Sequence, residues 1–158
     1  MEYTIRPVGA GELELVLQHR IEMFRCMGYD SEAELARIRS LSEPFFAEAL
    51  RNGTYLAWVA VAENGEAAAG TGVLLLPYQP GPNDTRAQRA FIVNVYTDPK
   101  HRRQGLAKKL MEIAVEWCRE AGFGIVSLHA SKEGRPLYES LGFQATNEMR
   151  LSLRKEKP

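Results

Sequence analysis

Apolar positions repeat along the chain first with the period of a strand and then with that of a helix. Tyr3 to Val8 alternates briefly and predicts a first strand. From Glu12 to about Met27 apolar residues recur at helical spacing, and Gly28 supplies a stop. Pro44 interrupts the next helical pattern, so Ser31 to Leu41 and Pro44 to Leu50 are predicted as two helical pieces.

The middle of the chain has the pattern of a sheet. Thr54 to Ala62 and Ala67 to Leu76 are β-rich and flank Glu63-Asn64-Gly65-Glu66, whose Asn-Gly pair predicts a tight hairpin. Pro77 to Asp84 predicts a loop that borders a binding cleft. Phe91 to Tyr96 is a nearly continuous apolar run, which is typical of a strand buried on both faces inside a sheet.

The last third of the chain alternates between helix and strand. A helical apolar face begins at Leu106 and is stopped by Gly122. Ile125 to Ala130 predicts a strand, Pro136 to Leu141 a short helix and Phe143 to Leu153 a final strand. The predicted order is βααβββαβαβ, a mixed α/β fold.

Length, charge and cysteine content narrow the classes of function. A chain of 158 residues fits one domain, residues 1–158, and 45% hydrophobic residues suit a globular protein. Twenty Lys and Arg balance twenty Asp and Glu, which argues against nucleic-acid or membrane binding by the whole molecule. Two cysteines are too few for a disulfide scaffold, and the N-terminus lacks the pattern of a signal peptide. A cytoplasmic location is expected, and no metal ion is expected.

The positive charge gathers at one turn, Lys100-His101-Arg102-Arg103-Gln104-Gly105, between the buried strand and the helix at Leu106. A helix start that follows a glycine-containing turn presents free N–H groups and a positive dipole end, and this combination binds phosphate. Taken alone, the turn also fits a solvated basic helix start. Its place behind a buried strand in a neutral protein favours a pyrophosphate site.

These residues resemble the GCN5-related N-acetyltransferase (GNAT) family. Its signature, Gln or Arg, two residues, Gly, one residue, then Gly or Ala, stands here as Arg102-Arg103-Gln104-Gly105-Leu106-Ala107. A second stretch, Gly134 to Phe143, is similar to the leucine-tyrosine and leucine-glycine-phenylalanine segment of the family. The resemblance covers nearly the whole chain and implies a mostly antiparallel central sheet of six to seven strands, with helices on both faces and a splay between the fourth and fifth strands.

The resemblance also implies acetyl-CoA as cofactor and a set of residues that bind it. Backbone N–H groups of the basic turn would hold the pyrophosphate, and the edge of the fourth strand would bind the pantetheine arm and polarise the thioester. Ser131 stands where many members of the family carry Asn, and its shorter side chain gives less reach. The cofactor-binding residues predicted in this way are Val95, Tyr96, Thr97, Arg102, Arg103, Gln104, Gly105, Leu106, Ala107, Lys108 and Ser131.

The expected reaction is transfer of an acetyl group to a primary amine of a small molecule or peptide. Tyr138 is the predicted general acid for the thiolate leaving group, although its helical position also fits a core aromatic. An alkyl amine is mostly protonated at neutral pH, so attack requires a proton acceptor, for which Glu22, His129 and a water chain are candidates. The first two helices and the loop from Pro77 to Ala90 are expected to form the acceptor side.

Two other functions stay open at this point. A non-catalytic acyl-CoA-binding or sensor module would share the basic turn and would not require Tyr138. A protein-directed acetyltransferase would differ only in its acceptor, a lysine or an N-terminal amine. A homodimer is compatible with the resemblance alone.

Overall fold

A computed structural model describes residues 1–154. One sheet of five strands has helices on both of its faces, and a short 3₁₀ turn, Pro99–His101, leads into the third helix. The strands are β1 (Tyr3–Pro7), β2 (Tyr55–Ala62), β3 (Ala67–Pro77), β4 (Gln88–Thr97) and β5 (Val126–Leu128). The helices are α1 (Leu13–Cys26), α2 (Glu32–Asn52), α3 (Leu106–Glu120) and α4 (Arg135–Ser140). Within residues 1–154, no helix has both the length and the apolar character that a membrane crossing requires.

The strands lie in chain order across the sheet, with β1 to β4 antiparallel and β5 parallel to β4. Side-chain alternation along β2 separates the two cores. Tyr55 and Ala57 pack with α1 and α2, whereas Trp58 and Ala60 pack in the cluster that contains α3. The predicted hairpin between β2 and β3 and the interior position of β4 are confirmed.

The prediction of two helical pieces around Pro44 is wrong, because α2 runs unbroken through this residue. The proline lacks one backbone donor, but its side chain is exposed and does not disturb the packed face. Positions 35, 42, 46 and 49 are buried on that face, at spacings that continue across the proline. Packing of this stripe therefore outweighs the lost hydrogen bond.

The predicted final strand, Phe143 to Leu153, does not form, and the sheet has five strands in the described residues, not six to seven. Met149, Leu151 and Leu153 alternate as a strand would, yet their side chains are 95%, 82% and 88% exposed. A further strand needs a sheet edge with which to pair. The edge next to β4 is formed by β5, which is only three residues long. Alternation alone therefore did not create a sixth strand.

Candidate active site

A cavity of about 770 Å³ lies where β4 and β5 separate, against the end of α1 and the start of α3. The two strands pair only from Ala90 to Ile92 on β4, and Ile92 faces Leu128 in the last pair. β4 continues to Thr97 without this neighbour, so its backbone is open to the cavity. This geometry confirms the expected splay between the fourth and fifth strands.

The strand β4 is distorted where it enters the cavity. Its register with β3 shifts between Gly70 and Gly72, and Asn94 has a φ of 57° within the strand. Asn94 is 6% exposed and its side chain joins two others: Oδ1 accepts from Arg20 Nη1 at 2.9 Å, and Nδ2 donates to Tyr55 Oη at 2.9 Å. The bulge and these hydrogen bonds fix the conformation of β4 beside the predicted thioester position.

Two buried residues hold the basic turn in place. His101 is buried, with Nδ1 3.0 Å from Tyr3 Oη and Nε2 3.4 Å from Glu66 Oε2. Leu106, the first residue of α3, is also buried. Residues 102 to 105 between these anchors are exposed, and Arg102 Nη2 donates to Cys26 Sγ at 3.4 Å.

The side of the turn that lines the cavity has the features of an anion-binding site. Arg103 and Gly105 both have left-handed backbones, with φ of 62° and 72°. No side chain from residues 1–154 caps α3, so the N–H groups of its first turn have no hydrogen-bond partner in that range. A Cβ on Gly105 would meet no atom within 4 Å, and the space above the turn is therefore open. With the exposed Arg102 and Lys108 beside it, the turn fits a pyrophosphate group such as that of CoA.

Tyr138, on α4, is also one of the residues that line the cavity. Its side chain is 8% exposed, and burial raises the pKa of its hydroxyl above the ordinary value. No hydrogen bond joins that hydroxyl to any residue from 1 to 154. Gly134 leaves room for the ring, since a Cβ there would lie 2.8 Å from Tyr138 Cε2. The phenol is thus neutral, sheltered and free to donate a proton.

The structure brings together all the predicted cofactor-binding residues. Val95 to Thr97, Arg102 to Lys108, and Ser131 line one cavity with Tyr138. Ser131 Oγ accepts from Gly134 N–H at 3.1 Å and so stabilises the turn before α4. Their contacts with a cofactor stay predictions.

The two candidate bases lie in different surroundings. Glu22 forms a close ion pair with Arg25 and is outside the set of lining residues. His129 lines the cavity, and its Nδ1 lies 2.8 Å from Arg150 Nη2. On the acceptor side, α1 contributes four lining residues, Arg20, Met23, Phe24 and Cys26, and Met27 follows at its end. Neither α2 nor the loop from residue 77 to 90 contributes a lining residue, so that part of the prediction is wrong.

Arg20 and Asn94 were not singled out as functional by the sequence patterns. A signal for Arg20 was present: it falls three residues after Leu17 and four before Phe24, on the predicted apolar face of α1. A charged residue within an apolar stripe is unusual, and this position alone marks Arg20 as a candidate functional residue. The role of Asn94 rests on its contact with Tyr55, which is 39 positions away in the chain, and with Arg20, which is 74 positions away. A local sequence pattern contains no such distant contact.

The sequence matches the model of the acetyltransferase (GNAT) family over residues 15–143. A GCN5-related N-acetyltransferase from Ralstonia eutropha has a TM-score of 0.88 and 34% identity, over 96% of this chain and 99% of that one. A predicted acetyltransferase from Clostridium acetobutylicum, solved with acetyl-CoA, has a TM-score of 0.87 and 25% identity, over 96% of this chain and 97% of that one.

A curated relative is similar over a shorter segment. Glucosamine 6-phosphate N-acetyltransferase of Trypanosoma brucei brucei is 41% identical over 75 residues, which are 46% of this chain and 51% of that protein. Matches to the first curated relatives cover between 29% and 51% of those proteins.

Proposed function

The chain belongs to the acetyltransferase (GNAT) family of acyltransferases, and from that premise we propose that it transfers an acetyl group from acetyl-CoA to a primary amine. The observation that carries the proposal is the composition of one cavity. An uncapped helix start with a basic turn and a buried tyrosine whose hydroxyl is neutral both line this cavity.

The basic turn would hold the pyrophosphate of the cofactor. N–H groups from Arg103 to Lys108 would donate to its oxygens, and the cationic side chains would add charge-assisted hydrogen bonds. The open backbone from Val95 to Thr97 would orient the pantetheine arm and polarise the carbonyl that receives negative charge during attack. Acetyl-CoA, when bound, supplies an activated acetyl thioester.

Tyr138 would hold a proton at Oη and donate it to the departing thiolate. Burial supports this role because it raises the pKa of the hydroxyl and keeps the acid protonated at neutral pH. Its lack of a hydrogen-bond partner in residues 1–154 leaves the proton available.

The amine must lose a proton, and Glu22 remains our proposed acceptor. Its carboxylate is bound by Arg25 and lies outside the cavity lining, so a water molecule would have to connect it to the amine. His129 lines the cavity and offers a second route. The pH dependence of Glu22→Gln and His129→Gln distinguishes the two.

A small-molecule amine is the acceptor class that we propose. The Trypanosoma relative is named for a phosphorylated amino sugar, which places small amines among the acceptors of similar proteins. A cytoplasmic location and a homodimer also remain proposals, to be tested by cell fractionation and by the molar mass in solution.

Calorimetric titration with acetyl-CoA tests the cofactor site. Arg103→Gly removes the guanidinium and retains the backbone, because glycine adopts a φ of 62° without strain. We expect wild type to bind and Arg103→Gly to bind about ten-fold more weakly with no loss of thermal stability. Arg119→Ala, at the exposed far end of α3, is the matched control and should bind as wild type does. Failure of the wild type to bind acetyl-CoA would remove the basis of the proposal.

A further inference from the structure

Arg20 places a positive charge on the otherwise apolar side of the cavity. Its guanidinium carbon lies 4.9 Å from the centre of the Phe24 ring and 5.3 Å from that of Phe46. Nε donates to Ser42 Oγ at 3.2 Å, and Nη1 donates to Asn94 Oδ1 at 2.9 Å. The side chain is therefore held rigidly between α1, α2 and β4.

No carboxylate neutralises this charge among residues 1–154. Within the part of the chain that the structure describes, six other arginines form ion pairs with acidic side chains, namely Arg6, Arg25, Arg39, Arg51, Arg119 and Arg135. Arg20 has only neutral hydrogen-bond partners, and its partial burial lowers the pKa of the guanidinium. Burial of a charge without a counter-charge is costly, so its retention in a cavity wall requires a reason.

The free donors of Arg20 supply that reason. Nη2 has no acceptor within the described residues, and a guanidinium donates in a planar fork that matches a carboxylate. Among residues 1–154, Arg20 is also the one Lys or Arg that lines the cavity outside the turn from Arg102 to Lys108. Met23 and Phe24 line the wall beside it and would contact an apolar body.

Building on the proposed function, we propose that Arg20 binds a carboxylate of the acceptor, so that the acceptor is a small amine that carries a carboxylate, of the amino-acid type. Asn94 fixes the guanidinium one residue before Val95, where the proposed thioester site begins. A carboxylate held there would place a neighbouring amine on the acceptor side of the thioester. A single cation among apolar walls suits a monoanion better than a phosphate dianion.

Pairs of acceptors with and without an anionic group test this assignment, and binding of the acetylated products avoids the difference in amine basicity within each pair. Glycine, methionine and phenylalanine are each compared with their carboxamides, and glucosamine 6-phosphate is compared with glucosamine. Two readouts are used: kcat/KM for thiol release with acetyl-CoA, and calorimetric binding of the N-acetylated products in the presence of CoA. The proteins are wild type, Arg20→Gln, Arg20→Lys and the control Arg39→Gln, whose residue pairs with Glu14 outside the cavity.

We expect wild type and Arg39→Gln to prefer at least one carboxylate over its carboxamide by about ten- to a hundred-fold. Arg20→Gln should lose this preference and still bind acetyl-CoA, and Arg20→Lys should retain part of the preference. Retained acetyl-CoA binding shows that the variants fold.

Three results would overturn the assignment: no carboxylate preference in wild type by either readout, a preference that survives in Arg20→Gln, or a preference confined to the phosphate pair. If amines that lack a carboxylate are acetylated in any of these cases, the proposed acetyl transfer still holds, and only the carboxylate-binding role of Arg20 is contradicted. Absence of both acetyl-CoA binding and transfer would instead contradict the proposed function itself.

Discussion

Asn94 combines an unusual backbone with a buried hydrogen-bonding side chain. A left-handed conformation costs most residues about 1–2 kcal/mol, and asparagine and glycine tolerate it best. The side chain also connects Arg20 on α1 to Tyr55 on β2. Asn94 therefore links the left-handed backbone in β4 to the position of Arg20 in the cavity wall.

Two substitutions at Asn94 separate these contributions. Asn94→Ala loses both hydrogen bonds and retains the strained φ, so it should destabilise the protein by about 2–4 kcal/mol. Asn94→Gly loses the same bonds and relieves the strain, and should be more stable than Asn94→Ala by about 1 kcal/mol. Urea denaturation measures both values. Equal stability of the two variants would show that the backbone at this position carries no strain.

Tyr138 allows a prediction about the pH dependence of the rate. The folded protein holds the neutral form more strongly than an exposed tyrosine, so the acid stays protonated beyond its ordinary pKa of 10.0. We therefore expect kcat to show no descending limb between about pH 7.5 and 9.5. A descending limb within that range would mean that another group donates the proton.

How much the sequence predicted differs from residue to residue. The proposed anion site from Arg102 to Lys108 could be predicted because its chemistry is contiguous in the chain: a glycine, cations and a helix start. Arg20 and Asn94 act through contacts between α1, α2, β2 and β4, and such contacts are fixed only when the elements pack. A sequence pattern can predict a site whose residues are adjacent in the chain. A site formed by residues from distant elements can be described only when the fold is known.

At the level of helices and strands, packing decided where pattern failed. The proline in α2 was overridden because buried residues continue on both sides of it. The alternating segment from 143 to 153 had the opposite outcome, because alternation without an adjoining edge leaves its apolar side chains exposed. The hairpin at Asn64-Gly65 was predicted correctly since its turn chemistry is contained in the turn itself.

The strand β3 must pass close to Tyr55, and a glycine makes this possible. A Cβ on Gly72 would lie 2.2 Å from Tyr55 Oη, in a fully packed part of the core. Gly72→Ala should therefore destabilise the protein by about 1–3 kcal/mol and disturb the bond from Asn94 to Tyr55. Gly81→Ala, which meets no atom within 4 Å, should change the stability by less than about 0.5 kcal/mol. Thermal or urea denaturation of both variants compares them, and equal effects would contradict this packing.

Across the whole molecule, the two cores on opposite faces of the sheet both bury titratable groups in neutral form. Burial raises the pKa of Cys118 from 9.0 to about 11 on the α3 side, and that of Tyr55 from 10.0 to about 12 on the α1 and α2 side. Raised values in the folded state mean that the unfolded state loses these protons first. The stabilisation is complete below about pH 9 and is lost as the pH rises towards 11 and 12.

The urea midpoint should accordingly be level between about pH 7 and 9 and fall steeply above it. Cys118→Ala removes one of the two groups, so its midpoint should fall less steeply between pH 9 and 11 than that of wild type. An identical slope in the variant would show that Cys118 does not ionise on unfolding in this range.

The most direct experiment follows the acetyl group itself. Wild type and Tyr138→Phe are incubated with acetyl-CoA and a panel of primary amines, the acetylated products are quantified by mass spectrometry, and binding of acetyl-CoA is measured on the same samples. We predict transfer by wild type and transfer about a hundred-fold slower by Tyr138→Phe, with equal acetyl-CoA binding. Tight binding of acetyl-CoA without transfer to any amine would contradict the proposed function and favour a module that only binds the cofactor. Equal transfer by the two proteins would contradict the role of Tyr138 as the general acid.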